Sequence, residues 1–434
     1  MKRSPTQAEF LALAIPNMLA GLAIPVVMIV DLAYLGHLED VTPLSGVVLA
    51  TVIFDFAFWS FAFLRIGTTG LVAQAEGRND RTEQEAIFWR AMLMAIVIGG
   101  ALTLLQTPIK LLSFALLTGE GAVEEAGKEY FDAHIWGAIP IMFNLSIIGW
   151  LLGQGRAGMV LILNTIWQLC NIVLNYIFII ELQWGAFGAG LGTTLSEWIS
   201  MIAAFIMVYI HWGGIPKRVT SDILKWAPFK QLLSLNSAIM LRTFILMAAL
   251  AAFTNISATF GEVQLAANAL MMKLFIFYAF VVDGFAVALE TLGGRSEGRK
   301  NYQELSRAFS LSMSWSLGSA VLFALLYWFA GEHILGLLTT HDNVIEAATP
   351  YIPWISGVLI IGGAAFVYDG FFYGLARPKL LFHSMIFAIL AYAPFAAYAW
   401  QIKSTEWLWI AFVVLTFTRA LTLYFPARKI LAAQ

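Results

Sequence analysis

Apolar residues run through this chain in blocks of twenty or more, and short polar stretches that hold most of the charges separate them. The blocks predict helices at 10–35, 44–71, 86–107, 130–152, 159–181, 186–212, 231–258, 263–290, 305–329, 348–375, 379–400 and 405–426. Some twenty apolar residues at ~1.5 Å rise cross a hydrocarbon layer of ~30 Å. The pattern therefore predicts an all-α integral membrane protein with twelve transmembrane helices and both termini on one side.

Basic residues test the helix count, because cytoplasmic connections carry an excess of Lys and Arg. Alternate connections together with the two termini hold 18 of the 25 basic residues; the opposite connections hold 3, and 4 lie within spans. That split fits twelve helices with both termini in the cytoplasm of a bacterial-type inner membrane. Composition agrees. Of 434 residues 60% are hydrophobic and 12% charged, and mean hydropathy is +0.79, against roughly 25% charged in soluble domains. A net charge of −2 without a basic tail gives no footprint for nucleic acid. Cys170 is the only cysteine, which rules out an intramolecular disulfide and reads as a buried thiol in an apolar run. The start MKRS before an apolar run imitates a signal peptide, but the run is too long and no A-x-A site follows.

The chain repeats itself. AEGR (75–78) matches SEGR (296–299), Val123 and Tyr130 match Val344 and Tyr351, and Gly153 and Arg156 match Gly374 and Arg377, all at an offset of 221 residues. The unit is thus six helices, an even number, so both copies face the same way across the membrane, as in transporters with two pseudo-symmetric lobes. The expected organisation is an N-terminal lobe at 1–212, a cytoplasmic linker at 213–230 and a C-terminal lobe at 231–434.

Polar groups inside the spans locate the chemistry. Helix 1 carries Asp31, and its two prolines, Pro16 and Pro25, each remove a backbone donor and are expected to bend or break it. An intramembrane acid is a functional candidate by default, while an acid this near a helix end could also simply reach water. Helix 5 carries Asn164, Gln168, Asn171 and Asn175 at i, i+4, i+7 and i+11, one stripe on one face. Helix 6 adds Thr193, Thr194 and Glu197. Amides cannot face lipid cheaply, so the stripe faces other helices or a wet cavity. Asp31, Asn175 and Thr193 fall at similar depth, which suggests one polar chamber in the N-terminal lobe. Asn144 of helix 4 is a further lining candidate, as are Asp55 and His134. Adding 221 to the stripe gives Met385, Ile389, Tyr392 and Ala396, and adding it to Asp31 gives Ala252. Glue between helices should recur in both lobes; this set does not, which favours function.

A second charged set lies near the expected inner face: Arg65 in the first lobe, and Asp283, Glu290 and Asp369 in the second. An inter-lobe ion pair closing the cytoplasmic side is one reading. Pairing inside one lobe, for instance Asp283 with Arg242 or Lys273, is the other. The sequence has no catalytic constellation, no Walker loop and no metal-ligand spacing. The glycines at 185, 188, 190 and 192 suit close helix packing. No enzyme activity, metal or cofactor is expected.

The segments VDLAYLGHL (30–38), FLRIGTTGLVAQAEG (63–77), LLGQGRA (151–157), CNIVLNYIFI (170–179) and DGFFYGLARP (369–378) resemble the multidrug and toxic compound extrusion (MATE) transporters, and most of all their bacterial DinF-type branch. The resemblance covers the whole chain. It implies a two-lobe fold, export of small organic compounds (cationic or amphipathic ones in particular) against inward H⁺ or Na⁺ flow, and action as a monomer in the bilayer. It also implies that Asp31 is the coupling acid. Many members carry Asp where this chain has Asn175, which leaves fewer carboxylates for a hard cation and favours H⁺ as coupling ion. Na⁺ coupling, a lipid-linked sugar flippase of the same superfamily and a channel are the alternatives.

Overall fold

The computed structural model describes residues 5–117, 121–216 and 226–432. Of the expected linker 213–230, residues 217–225 lie outside the described residues. Every described element is helical. Among the described residues twelve helical segments are long and apolar enough to cross a membrane: α1 (Gln7–Gly36), α2 (Thr42–Gly77), α3 (Arg81–Leu104), α4 (Gly121–Gly153), α5 (Ala157–Glu181), α6 (Gly185–Trp212), α7 (Leu232–Ala258), α8 (Glu262–Gly298), α9 (Tyr302–Leu338), α10 (Asp342–Gly374), α11 (Pro378–Ile402) and α12 (Thr405–Ala432). Each falls on one of the expected spans. The differences are at the ends. Helices α4, α8, α9 and α10 outrun their apolar blocks, because a helix stops at a cap or breaker and not where hydropathy changes. A short helix, Gln106–Leu116, follows α3 and buries Phe114; its apolar run is too brief to register as a span.

The 221-residue repeat recurs in the backbone. Asp80 caps α3 by accepting from the Glu83 N–H at 3.0 Å, and Asn301 caps α9 by accepting from the Glu304 N–H at 3.2 Å. The residues just before these caps, Asn79 and Lys300, both take positive φ (56° and 54°). Close helix contacts repeat as well. In the first copy Gly149 and Gly153 of α4 lie against the Arg65 and Thr69 carbonyls of α2. In the second, Gly370 and Gly374 of α10 lie against the Ala286 and Glu290 carbonyls of α8. All four pairs are related by 221. At each glycine a Cβ would meet backbone, so the small-xxx-small spacing is what lets the helices approach.

The helices form two compact units, Leu19–Leu233 and Met1–Met18 with Ser234–Gln434. The first eighteen residues thus group with the C-terminal helices, and α1 is a member of both units. Its first part is held in the second unit by Phe10 stacked on Phe285 (centroids 6.2 Å apart) and by Ala14 and Met18 closing on Gly284. Pro16 and Pro25 do not break α1, which is one continuous α-helix from Gln7 to Gly36. Each proline deprives the carbonyl four residues earlier, that of Ala12 and that of Gly21, of its helical donor.

Alanine at Gly149 or at Gly370 is expected to destabilise the protein by about 1–3 kcal/mol through overpacking. Alanine at Gly100, where a Cβ meets nothing within 4 Å, should be neutral or stabilising by up to ~1 kcal/mol. Thermal unfolding of the detergent-purified variants checks this. A Gly149→Ala protein as stable as the parent would refute the contact.

Candidate functional site

The polar stripe of α5 converges on Asp31. Asn175 is wholly buried and donates from Nδ2 to Asp31 Oδ1 at 2.7 Å, the length of a charge-assisted bond. Asn171, one helical turn earlier and 1% exposed, lies against both Asp31 oxygens. Its amide can be satisfied in two ways. With Nδ2 toward the acid, it donates to Oδ1 and Oδ2 at 3.2 and 3.1 Å and its oxygen accepts from Thr193 Oγ1 at 3.2 Å. This arrangement serves an ionised Asp31. With the amide reversed, Nδ2 donates to Thr193 Oγ1 at 3.2 Å, the Thr193 hydroxyl donates to the Ala189 carbonyl at 2.9 Å, and Asn175 Nδ2 reaches Asn171 Oδ1 at 3.3 Å. The Asn171 oxygen then faces Asp31 and needs a donor from it, which only a protonated carboxyl has. Asn175 Oδ1 stays buried without a partner, and the groups that face Asp31 are the two amides of α5.

The surrounding helices fit this set closely. Gly192 of α6 lies directly on Asn175, so that a Cβ there would strike the amide oxygen. Asn175 is also the last α-helical residue of α5 before a π-helical stretch, Tyr176–Glu181. The Tyr130 hydroxyl sits beside Thr51 and Thr193, near enough to Asp31 and Asp55 to sense both charges. Tyr130 registers in the sequence only as half of a repeat match, and its partners are far apart in the chain.

The other candidates divide. Gln168 reaches the Ala20 carbonyl of α1 at 3.5 Å, and Asn164 is partly buried further along the stripe. Thr194 turns away and donates to the Ala133 and His134 carbonyls at 2.9 and 3.3 Å, a structural tie. Asn144 donates to Glu197 at both its carboxylate (2.8 Å) and its backbone carbonyl (3.2 Å). Asp55 is exposed on α2, and His134 is buried against the rings of Phe54, Tyr130 and Phe58 at 4.4, 5.4 and 5.7 Å. Among the described residues no three His, Cys, Asp or Glu side chains are grouped as metal ligands.

Known proteins share this architecture. The sequence profile of the MatE family matches residues 16–177 and 238–398, one match in each copy of the repeat. The chain belongs to the MatE family. Its relatives include the DNA damage-inducible protein F of Escherichia coli, 31% identical over 421 residues, covering 95% of this chain and 90% of that one. The probable multidrug resistance protein NorM of Thermotoga maritima is 24% identical over 344 residues, covering 78% of this chain and 73% of that one. Among solved structures, a MOP superfamily transporter from Pyrococcus furiosus superposes with a TM-score of 0.90 at 19% identity, covering 100% of this chain and 97% of that chain.

This MatE chain handles its intramembrane charge differently in the second unit. Asp369 of α10 is 5% exposed, and its Oδ2 accepts from both Arg242 of α7 and Arg419 of α12. Arg242 lies over the Tyr373 ring at 5.7 Å and Arg419 over the Phe366 ring at 5.5 Å. Asp283 lies close enough to Arg242 for their charges to interact, and Glu290 is 2% exposed, its carbonyl in the Gly374 contact. Arg65 sits just beyond a break in α2 at Phe61–Ala62 and takes part in the Gly149 packing through its carbonyl. Asp369 is thus doubly paired within its own unit. The two arginines that hold it are distant from it in sequence, and Arg242 was expected as a partner of Asp283 and not of Asp369.

Asp369→Asn should cost about 3–5 kcal/mol, because it leaves two buried guanidinium groups without their anion. Replacing Arg242, Asp369 and Arg419 together by Met, Leu and Met should restore most of that loss. Unfolding in detergent decides: equal instability of the single and triple variants would contradict the assignment.

Proposed function

We propose that this chain exports small organic compounds, drugs among them, by proton antiport, and that Asp31 is the group that carries the proton. The observation that carries the reading is that Asp31, inside a span, is met by the neutral amides of Asn175 and Asn171 and by no cation among the described residues. Neutral partners leave a carboxyl free to take up and release a proton. Membership in the MatE family and a relative named as a probable multidrug resistance protein support the efflux half of the proposal.

In this cycle Asp31 takes a proton from the outer medium and becomes neutral. Asn171 no longer has a charge to solvate, its amide turns, and Thr193 shifts its hydrogen from the Asn171 oxygen to the Ala189 carbonyl. The loss of charge loosens the hold of α5 and α6 on α1, which already lacks two helical hydrogen bonds at Pro16 and Pro25. Movement of α1 narrows the polar chamber lined by Asn171, Asn175 and Thr193 and releases substrate outward. Return of the proton to the cytoplasm restores the charge and the first arrangement. The 18 to 3 division of basic residues supports placing both termini in the cytoplasm of a bacterial-type inner membrane.

Na⁺ coupling on the same scaffold is the second reading. One observation favours the proton over it: the two groups nearest Asp31 are amides, so the set offers a single carboxylate where a hard cation takes several charged or carbonyl oxygens.

The test is transport of a fluorescent organic cation in proteoliposomes, with ΔpH and ΔNa⁺ imposed separately. Drive by ΔpH alone and its loss in Asp31→Asn are expected. Undiminished ΔpH-driven transport in Asp31→Asn would remove Asp31 from the mechanism, and drive by ΔNa⁺ alone would remove the proton.

A further inference from the structure

Glu197 presents a second carboxyl in the N-terminal unit that the proton cycle does not use. It is the only Asp, Glu, Lys or Arg of α6 and sits 12 residues from Gly185 and 15 from Trp212, near the middle of the span. Among the described residues no salt bridge reaches it. A charge placed there without a partner is costly, so the site is built either to stay neutral or to receive a positive charge.

The donors and acceptors around it point to the second. Asn144 is 7% exposed and spends its amide nitrogen twice on Glu197, at Oε2 (2.8 Å) and at the backbone carbonyl (3.2 Å). That grip fixes the side chain. Asn144 Oδ1 is buried with no hydrogen-bond partner. The other carboxylate oxygen, Oε1, accepts no hydrogen bond from a described residue. The site therefore leaves one carboxylate oxygen unused and holds no cation among the described residues. What completes such a site is a group that is positively charged and carries N–H donors. Asp31 contrasts with it. Three amide contacts already occupy its two oxygens, which leaves space for a proton and little for a bulky cation. Thr193, which touches the Asp31 network through Asn171, is one helical turn from Glu197 on the same face of α6.

We propose that Glu197, held by Asn144, is the counter-charge that selects cationic substrates, protonated amines in particular, while Asp31 carries the proton. This division of labour rests on the efflux reading above. The two carboxyls would then do separate jobs on one chamber: Glu197 sets which molecules bind, and Asp31 sets what drives their release.

Two rhodamines of one ring system provide the test. Rhodamine 6G is a cation with N–H donors; rhodamine B carries a carboxylate that cancels its charge. Binding of each to the full-length protein in detergent is followed by fluorescence anisotropy for the wild type, Glu197→Gln and Glu197→Asp. Glu197→Gln is expected to weaken rhodamine 6G about tenfold or more and to leave rhodamine B within about twofold, with Glu197→Asp in between. Unchanged rhodamine 6G affinity in Glu197→Gln, equal loss of both dyes, or a wild type that does not prefer rhodamine 6G would each overturn the proposal. If Glu197→Gln does not fold, carbodiimide labelling of Glu197 in the wild type reads the same point: protection by rhodamine 6G and not by rhodamine B supports it, and equal protection by both overturns it. The dye selectivity and the proton drive are measured separately. An intact difference between the dyes in a protein that ΔpH fails to drive would support Glu197 and overturn the coupling role of Asp31.

Discussion

A carboxyl group inside a hydrocarbon layer has to be neutral or surrounded by donors, and the N-terminal unit is arranged around that condition at Asp31. Satisfying it takes the amides of Asn171 and Asn175 on one face of α5, a threonine on α6 to complete Asn171, and a bare Cα at Gly192 so that α6 can close on Asn175. None of these parts works alone. An amide stripe with nothing to solvate would be a liability, and a glycine without the amide beneath it would only weaken the helix.

The second unit meets the same condition with the opposite chemistry. There the acid is Asp369, and two arginines from α7 and α12 hold it. A guanidinium cannot lose its proton in a protein, so a carboxylate clamped between two of them is a fixed charge set. The groups that meet Asp31 are neutral amides, which impose no fixed charge on it. The repeat makes the contrast sharper. Both copies keep the same caps, the same positive-φ turns and the same glycine-to-carbonyl contacts between paired helices. What has diverged is the polar interior. Tyr392 stands where Asn171 stands in the first copy, and its hydroxyl goes to the Ala249 carbonyl of α7.

Much of this was legible from the residues. Twelve spans, the 221-residue repeat, the α5 stripe and its match in depth to Asp31 follow from hydropathy and helical periodicity, because in a membrane each of these is under a strong local constraint. Legibility failed where the deciding quantity was a distance between segments. Thr194 follows Thr193 directly in the chain and turns to the α4 backbone, a partner that the sequence alone does not name. Asp369 was readable as an intramembrane acid, and several cations were available to it. No break occurs at Pro16 or Pro25, because a proline removes one hydrogen bond while the rest of the helical ladder continues past it.

Fold class, the number of spans, the repeat and the set of polar residues that cannot face lipid are thus written in the order of the residues. Packing of the helices chose which of those residues meet: Asn175 and Asn171 at Asp31, Asn144 at Glu197, Arg242 and Arg419 at Asp369. It also divided α1 between two units at Met18 and Leu19. The physical reason is range. Hydropathy and periodicity act along one helix and are read from consecutive residues. A hydrogen bond or ion pair between helices depends instead on how the helices rotate and approach one another, which consecutive residues do not specify.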